Sequence, residues 1–375
     1  MKRVLSILLL LALLPAVPVF AEEVPLDAPS AILMHPSGQV LLEKNADERR
    51  APASVTKVMT LLLVMEAIDA GALDWDEIVT GSAHAASMGG SQIWLREGET
   101  FTVRDMVKCV AVASANDCSV ALAEHLAGSE EAFVERMNRR ARELGMENTT
   151  FVNACGLEAP GHYTTARDVA FMSCALLRHP DILDFTTIWT DTIRDGAFGL
   201  TNTNKLLRTF PGMIGLKTGY TKNAGYCLSG AAERDGMTLV AVVLGGRTSG
   251  ERNEDVAALL NYGFANYCQA SLTPDQPLLP IPVDMGRQET VGVVLGQIEP
   301  LLLRRGSLER LEKRVELPDR LDAPVAEGEQ VGTFTVLLDG ETLQTIPVVA
   351  AQPVERLTIM DLWGALLRTL CLQGN

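Results

Sequence analysis

Residues 54–70 constrain the fold more than any other stretch of the chain. Val58, Met59, Leu61, Leu62, Leu63, Val64, Met65 and Ile68 leave no polar face, so the segment reads as a central, buried helix that Gly71 ends. It nevertheless opens with Pro52-Ala53-Ser54-Val55-Thr56-Lys57, which places a hydroxyl in the first turn and an ammonium one turn further on the same face. Burying an ammonium among apolar side chains is costly, and desolvation favours its neutral form. A neutral Lys57 beside Ser54 is a base able to take the hydroxyl proton. The first-turn backbone N–H of Ser54 has no intrahelical acceptor and could receive an oxyanion.

Two later motifs extend this chemistry. Ser114-Ala115-Asn116 interrupts an otherwise helical pattern between Val103 and Leu126. Taken alone it reads as a turn between helices; taken with Ser54, Ser114 could relay a proton and Asn116 could hold a substrate amide. In Lys217-Thr218-Gly219, the cation and hydroxyl suit a carboxylate, and the glycine lets a backbone approach closely. The alternative for this motif is an exposed strand edge. In this order the three motifs supply an acyl-transfer site without histidine. His35, His84, His125, His162 and His179 read as packing or surface residues, with His162 a candidate at the edge of the site. There is no His-Glu-x-x-His or comparable ligand spacing, so neither a metal nor a cofactor is expected.

The pattern predicts an α+β domain. Ala31–Met34 and Val40–Glu43 form a hairpin around Pro36-Ser37-Gly38, and helices follow over 129–144 and 165–177. Gly225–Ala232 and Met237–Leu244 form an antiparallel hairpin, closed by a helix over 255–267. Residues 271–282 are rich in proline and polar side chains and read as a linker. Short apolar runs between 283 and 352 predict a small all-β sandwich. Ile359, Leu362, Trp363, Leu366, Leu367 and Leu370 then make one stripe of an amphipathic helix within a tail over 353–375. That tail is too short and polar to span a bilayer and suits its surface; packing on the protein is the alternative.

Residues 1–21 read as a secretory leader: Lys2 and Arg3, an apolar run from Val4 to Leu14, and Val19-Phe20-Ala21 at the cleavage point. Removing Lys2 and Arg3 from 32 basic residues leaves 30 against 47 acidic ones, a formal charge of −17. Such a chain is a poor ligand for nucleic acid. Seven scattered cysteines without Cys-x-x-Cys pairing read as small buried hydrophobes and not as a disulfide scaffold.

With these motifs in place, the sequence resembles the penicillin-binding protein and serine β-lactamase superfamily. Gly90-Ser91-Gln92, Gly161-His162-Tyr163 and Leu259-Leu260-Asn261-Tyr262-Gly263-Phe264 narrow the resemblance to the low-molecular-mass D-alanyl-D-alanine carboxypeptidases. It implies a transpeptidase-like catalytic domain over 22–270, an antiparallel sheet with a helical cluster. It also implies catalytic Ser54, Lys57 and Ser114, and substrate binding by Asn116, Lys217, Thr218, Gly219 and Arg252. The oxyanion hole would use the backbone N–H groups of Ser54 and Tyr220, the latter a position where some members carry histidine. The partners implied are peptidoglycan stem peptides, β-lactams as covalent inhibitors, and the membrane surface. The location implied is the outer face of the bacterial cytoplasmic membrane. A β-lactamase is the competing reading, but the Glu-x-x-Leu-Asn motif of class A enzymes is absent between 150 and 190, where Glu158 lacks those neighbours. An inactive wall-binding protein is a third.

Overall fold

The computed structural model describes residues 24–298 and 301–364. The expected leader, half of the expected tail stripe (Leu366, Leu367 and Leu370), and Cys371 lie outside them. Chain contacts divide the molecule into two compact units, one of residues up to 232 with 239–262, the other of 233–238 with 263 onward.

The first unit begins with the expected hairpin, β1 (Ser30–Met34) and β2 (Val40–Lys44). A single 3-10 turn over Ala53–Thr56 precedes α1 (Lys57–Asp69). Ser54 therefore lies in front of the α-helix and not in its first turn. Such tightened turns are frequent at helix starts, and here Ala53 adopts a left-handed φ of 48° behind Pro52. As expected, α1 is buried on several sides, through Val58, Met59, Leu61, Leu62, Val64 and Met65.

Around α1 the chain wraps a helical cluster. The short pair β3 (Ile78–Thr80) and β4 (Thr100–Thr102) brackets α2 (Ala83–Ala86) and the loop that follows it. Next come α3 (Val103–Val112) and α4 (Asn116–Ala127), broken where the small polar residues predicted a turn. Ser129 caps α5 (Glu130–Glu143) by accepting from Ala132 N–H at 3.2 Å, and Thr165 caps α6 (Ala166–Leu176) by accepting from Asp168 N–H at 3.1 Å. After α7 (Leu183–Thr186), a hairpin of β5 (Thr190–Ile193) and β6 (Phe198–Thr201) leads through α8 (Leu206–Thr209) into the main sheet.

That sheet is completed by β7 (Met213–Thr221), β8 (Gly225–Arg234) and β9 (Met237–Gly246), in the antiparallel order β2-β1-β9-β8-β7. The closing helix α9 (Ser249–Asn266) starts six residues earlier than its apolar pattern predicts, because the Thr248 hydroxyl accepts from Glu251 N–H at 3.1 Å and caps it there. Arg252 thus sits in a helix.

From Tyr267 to Ala350 the described residues of the second unit are strands and loops apart from one 3-10 turn. Here β10 (Tyr267–Gln269) pairs with β14 (Leu302–Arg304). A three-stranded sheet joins β11 (Ile281–Asp284), β12 (Thr290–Val291) and β16 (Leu321–Asp322). A four-stranded sheet runs β13 (Val293–Leu295), β18 (Glu341–Ala350), β17 (Gln330–Leu338) and β15 (Leu311–Glu316). Alternation on β17 and β18 buries Phe334, Val336, Ile346 and Val348 in one apolar cluster, and Val331 and Ala350 in another. Val354 exchanges backbone hydrogen bonds with Val325 and is fully buried, so the chain leaves this unit only after it. Residues 359–364 are helical, with Ile359, Met360, Leu362 and Trp363 exposed. Among the described residues no helix is long and apolar enough to cross a membrane.

Candidate active site

Four separate segments converge on the 3-10 turn. Lys57, the first residue of α1, is fully buried. Its ammonium donates to Ser54 Oγ at 3.1 Å, to Asn116 Oδ1 at 2.6 Å and to the Cys155 carbonyl at 2.6 Å. These three acceptors satisfy the group in a place where an unpaired ammonium would be prohibitive. Burial still brings its pKa down to about 8, against an opposing pull from Cys155 and Asp117. A group so tuned holds and releases a proton near neutral pH.

Asn116 and Ser114 come from the break between α3 and α4. Ser114 is buried and has a φ of 63°, a conformation seldom adopted by a residue with a Cβ. The Asn116 side chain also donates to the Gly89 carbonyl at 2.6 Å, and its backbone N–H donates to Ser91 O at 2.7 Å. Next to it, the buried Asp117 carboxylate accepts from the N–H groups of Ile93 and Leu95, each at 3.0 Å. The loop after α2 is thereby fastened to the start of α4.

Strand β7 closes another side. Lys217 is buried, contrary to the exposed-edge alternative, and donates to the Thr218 carbonyl at 3.1 Å. Burial, with repulsion from Lys57 and Arg252, holds its pKa well below the usual lysine range. The Thr218 hydroxyl donates to Thr203 Oγ1 at 2.6 Å. Arg252, on the first turn of α9, donates to Asn253 Oδ1 at 2.8 and 3.1 Å and over a longer 3.5 Å to the Cys227 carbonyl; burial lowers its pKa too. Lys57 and Arg252 thus both repel the Lys217 ammonium, and among the described residues none of the three has an ion-pair partner. Such a region favours an anion. The Tyr220 ring is exposed and packs on Tyr226 with centroids 4.3 Å apart.

Two glycines hold the Ser54 turn. A Cβ at Gly219 would come within 3.0 Å of Pro52 O and Val55 N. A Cβ at Gly156 would stand 1.9 Å from Ala53 O and 2.9 Å from Ser54 N, and its φ is +87°. Backbone therefore meets backbone on both flanks of the nucleophile. Gly156 and the Cys155 carbonyl were missed in the sequence; the one available signal was the Cys155-Gly156 pair in a loop rich in turn residues. His162 packs the loop as read: its Nε2 is 3.0 Å from Thr56 Oγ1, its ring meets Phe151 edge-on, and burial pushes its pKa down to about 4. His84, His125 and His179 bond to Glu130, Glu77 and Asp69, and His35 to Ser37. Cys109, Cys118, Cys155, Cys174 and Cys227 are buried free thiols and Cys268 is half-buried. Among the described residues no group of side chains could hold a metal ion.

Comparison with known proteins identifies the family. Residues 18–248 match the D-alanyl-D-alanine carboxypeptidase family profile, and residues 271–356 match the C-terminal domain of penicillin-binding protein 5. The D-alanyl-D-alanine carboxypeptidase DacF of Bacillus subtilis is 42% identical over 95% of both chains. DacA of Escherichia coli is 33% identical over 88% of this chain and 84% of its own. Among solved structures, penicillin-binding protein 5 of Haemophilus influenzae superposes with a TM-score of 0.71 at 30% identity, covering 88% of this chain and 98% of that one. Penicillin-binding protein D2 of Listeria monocytogenes, in its ampicillin-bound form, does so with 0.59 at 36% identity, covering 64% and 99%.

Proposed function

The chain belongs to the D-alanyl-D-alanine carboxypeptidase family, a family of serine hydrolases, and from that premise we propose how its residues divide the work. The enzyme removes the terminal D-alanine of peptidoglycan stem peptides through an acyl-enzyme and is acylated by β-lactams. Ser54 Oγ attacks the carbonyl of the penultimate D-alanine while Lys57 Nζ takes its proton. The N–H groups of Ser54 and Tyr220 receive the oxyanion. Ser114, backed by Lys217, passes a proton to the departing D-alanine amine as the C–N bond breaks. Lys217, Thr218 and Arg252 hold the carboxylate of that residue, Gly219 admits the substrate backbone, and Asn116 holds the amide on the acyl side. Water then cleaves the ester and frees Ser54.

The observation that carries this reading is the 3.1 Å contact between Ser54 Oγ and a buried lysine whose pKa has fallen to about 8. The deciding experiment is D-alanine release from diacetyl-L-Lys-D-Ala-D-Ala by the wild type and by Ser54→Ala, with mass spectrometry after penicillin treatment. Release and a Ser54 adduct are expected for the wild type alone. Rapid loss of the adduct would favour a β-lactamase, and no adduct would favour an inactive wall-binding protein.

The reaction takes place outside the cytoplasm. The sequence over 1–21 supports export by a cleaved leader. The apolar stripe that begins at Ile359 supports peripheral attachment to the outer face of the cytoplasmic membrane.

A further inference from the structure

Beside the Ser54 turn lies a pocket of about 330 Å³ whose walls include Ala53, Gly156, Glu158, Pro160, Thr221 and Asn223. Nothing in the reaction described above uses it. Its position follows from the course of the substrate along β7, and to that extent the inference rests on the proposed function. With the terminal carboxylate at Lys217 and Thr218 and the scissile carbonyl at the Tyr220 N–H, the peptide leads on past Thr221. A strand advances about 3.3 Å per residue, so the residue before the two D-alanines arrives where Thr221 and Asn223 open into the pocket.

The chemistry of the walls is uneven. Ala53, Leu157, Ala159 and Pro160 are apolar, and Glu158 is the one charged group among the lining residues, since burial keeps His162 neutral at ordinary pH. Glu158 is not loose: Oε1 accepts from Asn223 N–H at 2.8 Å, and the Thr221 hydroxyl also bonds the carboxylate. These bonds hold its pKa below the usual range. The Lys222 ammonium acts on Glu158 but lies outside the walls. A pocket with largely apolar walls and an exposed, hydrogen-bonded carboxylate among its lining residues matches an aliphatic chain ending in an ammonium.

We infer that this pocket is a specificity site for the third stem-peptide residue, that it takes a side chain ending in a primary amine, and that Glu158 reads the amine.

The test uses acyl-Xaa-D-Ala-D-Ala peptides in which Xaa is L-lysine, Nε-acetyl-L-lysine, norleucine or L-glutamate. For the full-length wild type, kcat/KM should favour free lysine over its acetylated and uncharged counterparts by roughly threefold to tenfold. Glu158→Gln should level the series, and Glu158→Lys should turn the preference toward glutamate. Penicillin acylation should be unchanged in both variants, which shows that they fold. Equal rates on lysine and Nε-acetyl-lysine, or an unaltered preference in Glu158→Gln, would overturn the inference. Calorimetric binding of acyl-Lys-D-Ala and its acetylated form to Ser54→Ala separates the two ideas. A preference for the free amine there supports the pocket even if the wild type releases no D-alanine, an outcome that counts against the carboxypeptidase reading alone. No preference there counts against the pocket.

Discussion

Lys57 donates to Asn116 Oδ1 at 2.6 Å, a shorter contact than its 3.1 Å to Ser54 Oγ. The asparagine therefore holds the base in position. Because the neutral amine is the active form, acylation by penicillin should rise with pH through about 8 and then level off. Asn116→Asp puts an anion against the ammonium, so the rising limb should move to higher pH, by about 1–3 units for a carboxylate so close. A pH–rate profile of the two proteins checks this. An unmoved limb would remove Lys57 from the role of base.

Burial of Lys57 also has a signature in stability. Its pKa is about 8 when folded and 10.5 in the unfolded chain. Between those values the unfolded chain holds a proton that the folded one has released, so this group makes stability rise with pH across that window. Below pH 8 both forms are protonated and the cost of burial is fully present. Denaturant titrations should show the wild type gaining about 3 kcal/mol relative to Lys57→Met between pH 8 and 10.5, at 1.36 kcal/mol per unit. Lys57→Met should also fail to form the acyl-enzyme at every pH.

The Ser54 turn tolerates no atom at position 156. Gly156→Ala combines a left-handed φ with a Cβ 1.9 Å from Ala53 O, so the turn or the loop must shift. Overpacking of this kind costs about 1–3 kcal/mol, and a displacement near 1 Å at the nucleophile costs about a hundredfold in rate. Thermal unfolding and penicillin acylation together should show both losses. Gly161→Ala is the control: its φ is also positive, but its Cβ meets nothing within 4 Å, so the rate should be nearly unchanged.

Ser54 and Lys57 were legible because one turn of backbone brings them together, and an all-apolar helix announces its own burial. The helix starts near Ser129 and Thr165 were legible for the same local reason. The Cys155 carbonyl was not, since every residue has one and only the chain path aims it at Lys57. The short strands β3, β4, β5 and β6 went unrecognised because three or four residues are too few to establish an alternation. The burial of Lys217 was left open, because β7 is indeed an edge strand and the Ser54 turn that packs against it is distant in sequence.

Membrane attachment calls for a cut chosen from the structure. The sequence places the start of the tail at 353, but Val354 is part of the β-unit core, and Leu357 N–H donates to Met285 O at 2.8 Å. A truncation after Leu357 spares both. The shortened protein should keep its acylation rate and lose sedimentation with lipid vesicles. Undiminished sedimentation would end the anchor proposal.

Lys57, Lys217 and Arg252 crowd together without an ion pair of their own among the described residues. The resting enzyme thus gathers positive charge at one spot, which a bound anion would balance. Any small carboxylate that reaches them and binds the folded chain alone raises its melting temperature, with a stabilisation that grows with the logarithm of its concentration above the dissociation constant. Free D-alanine, the leaving group itself, should therefore shield its own maker against heat.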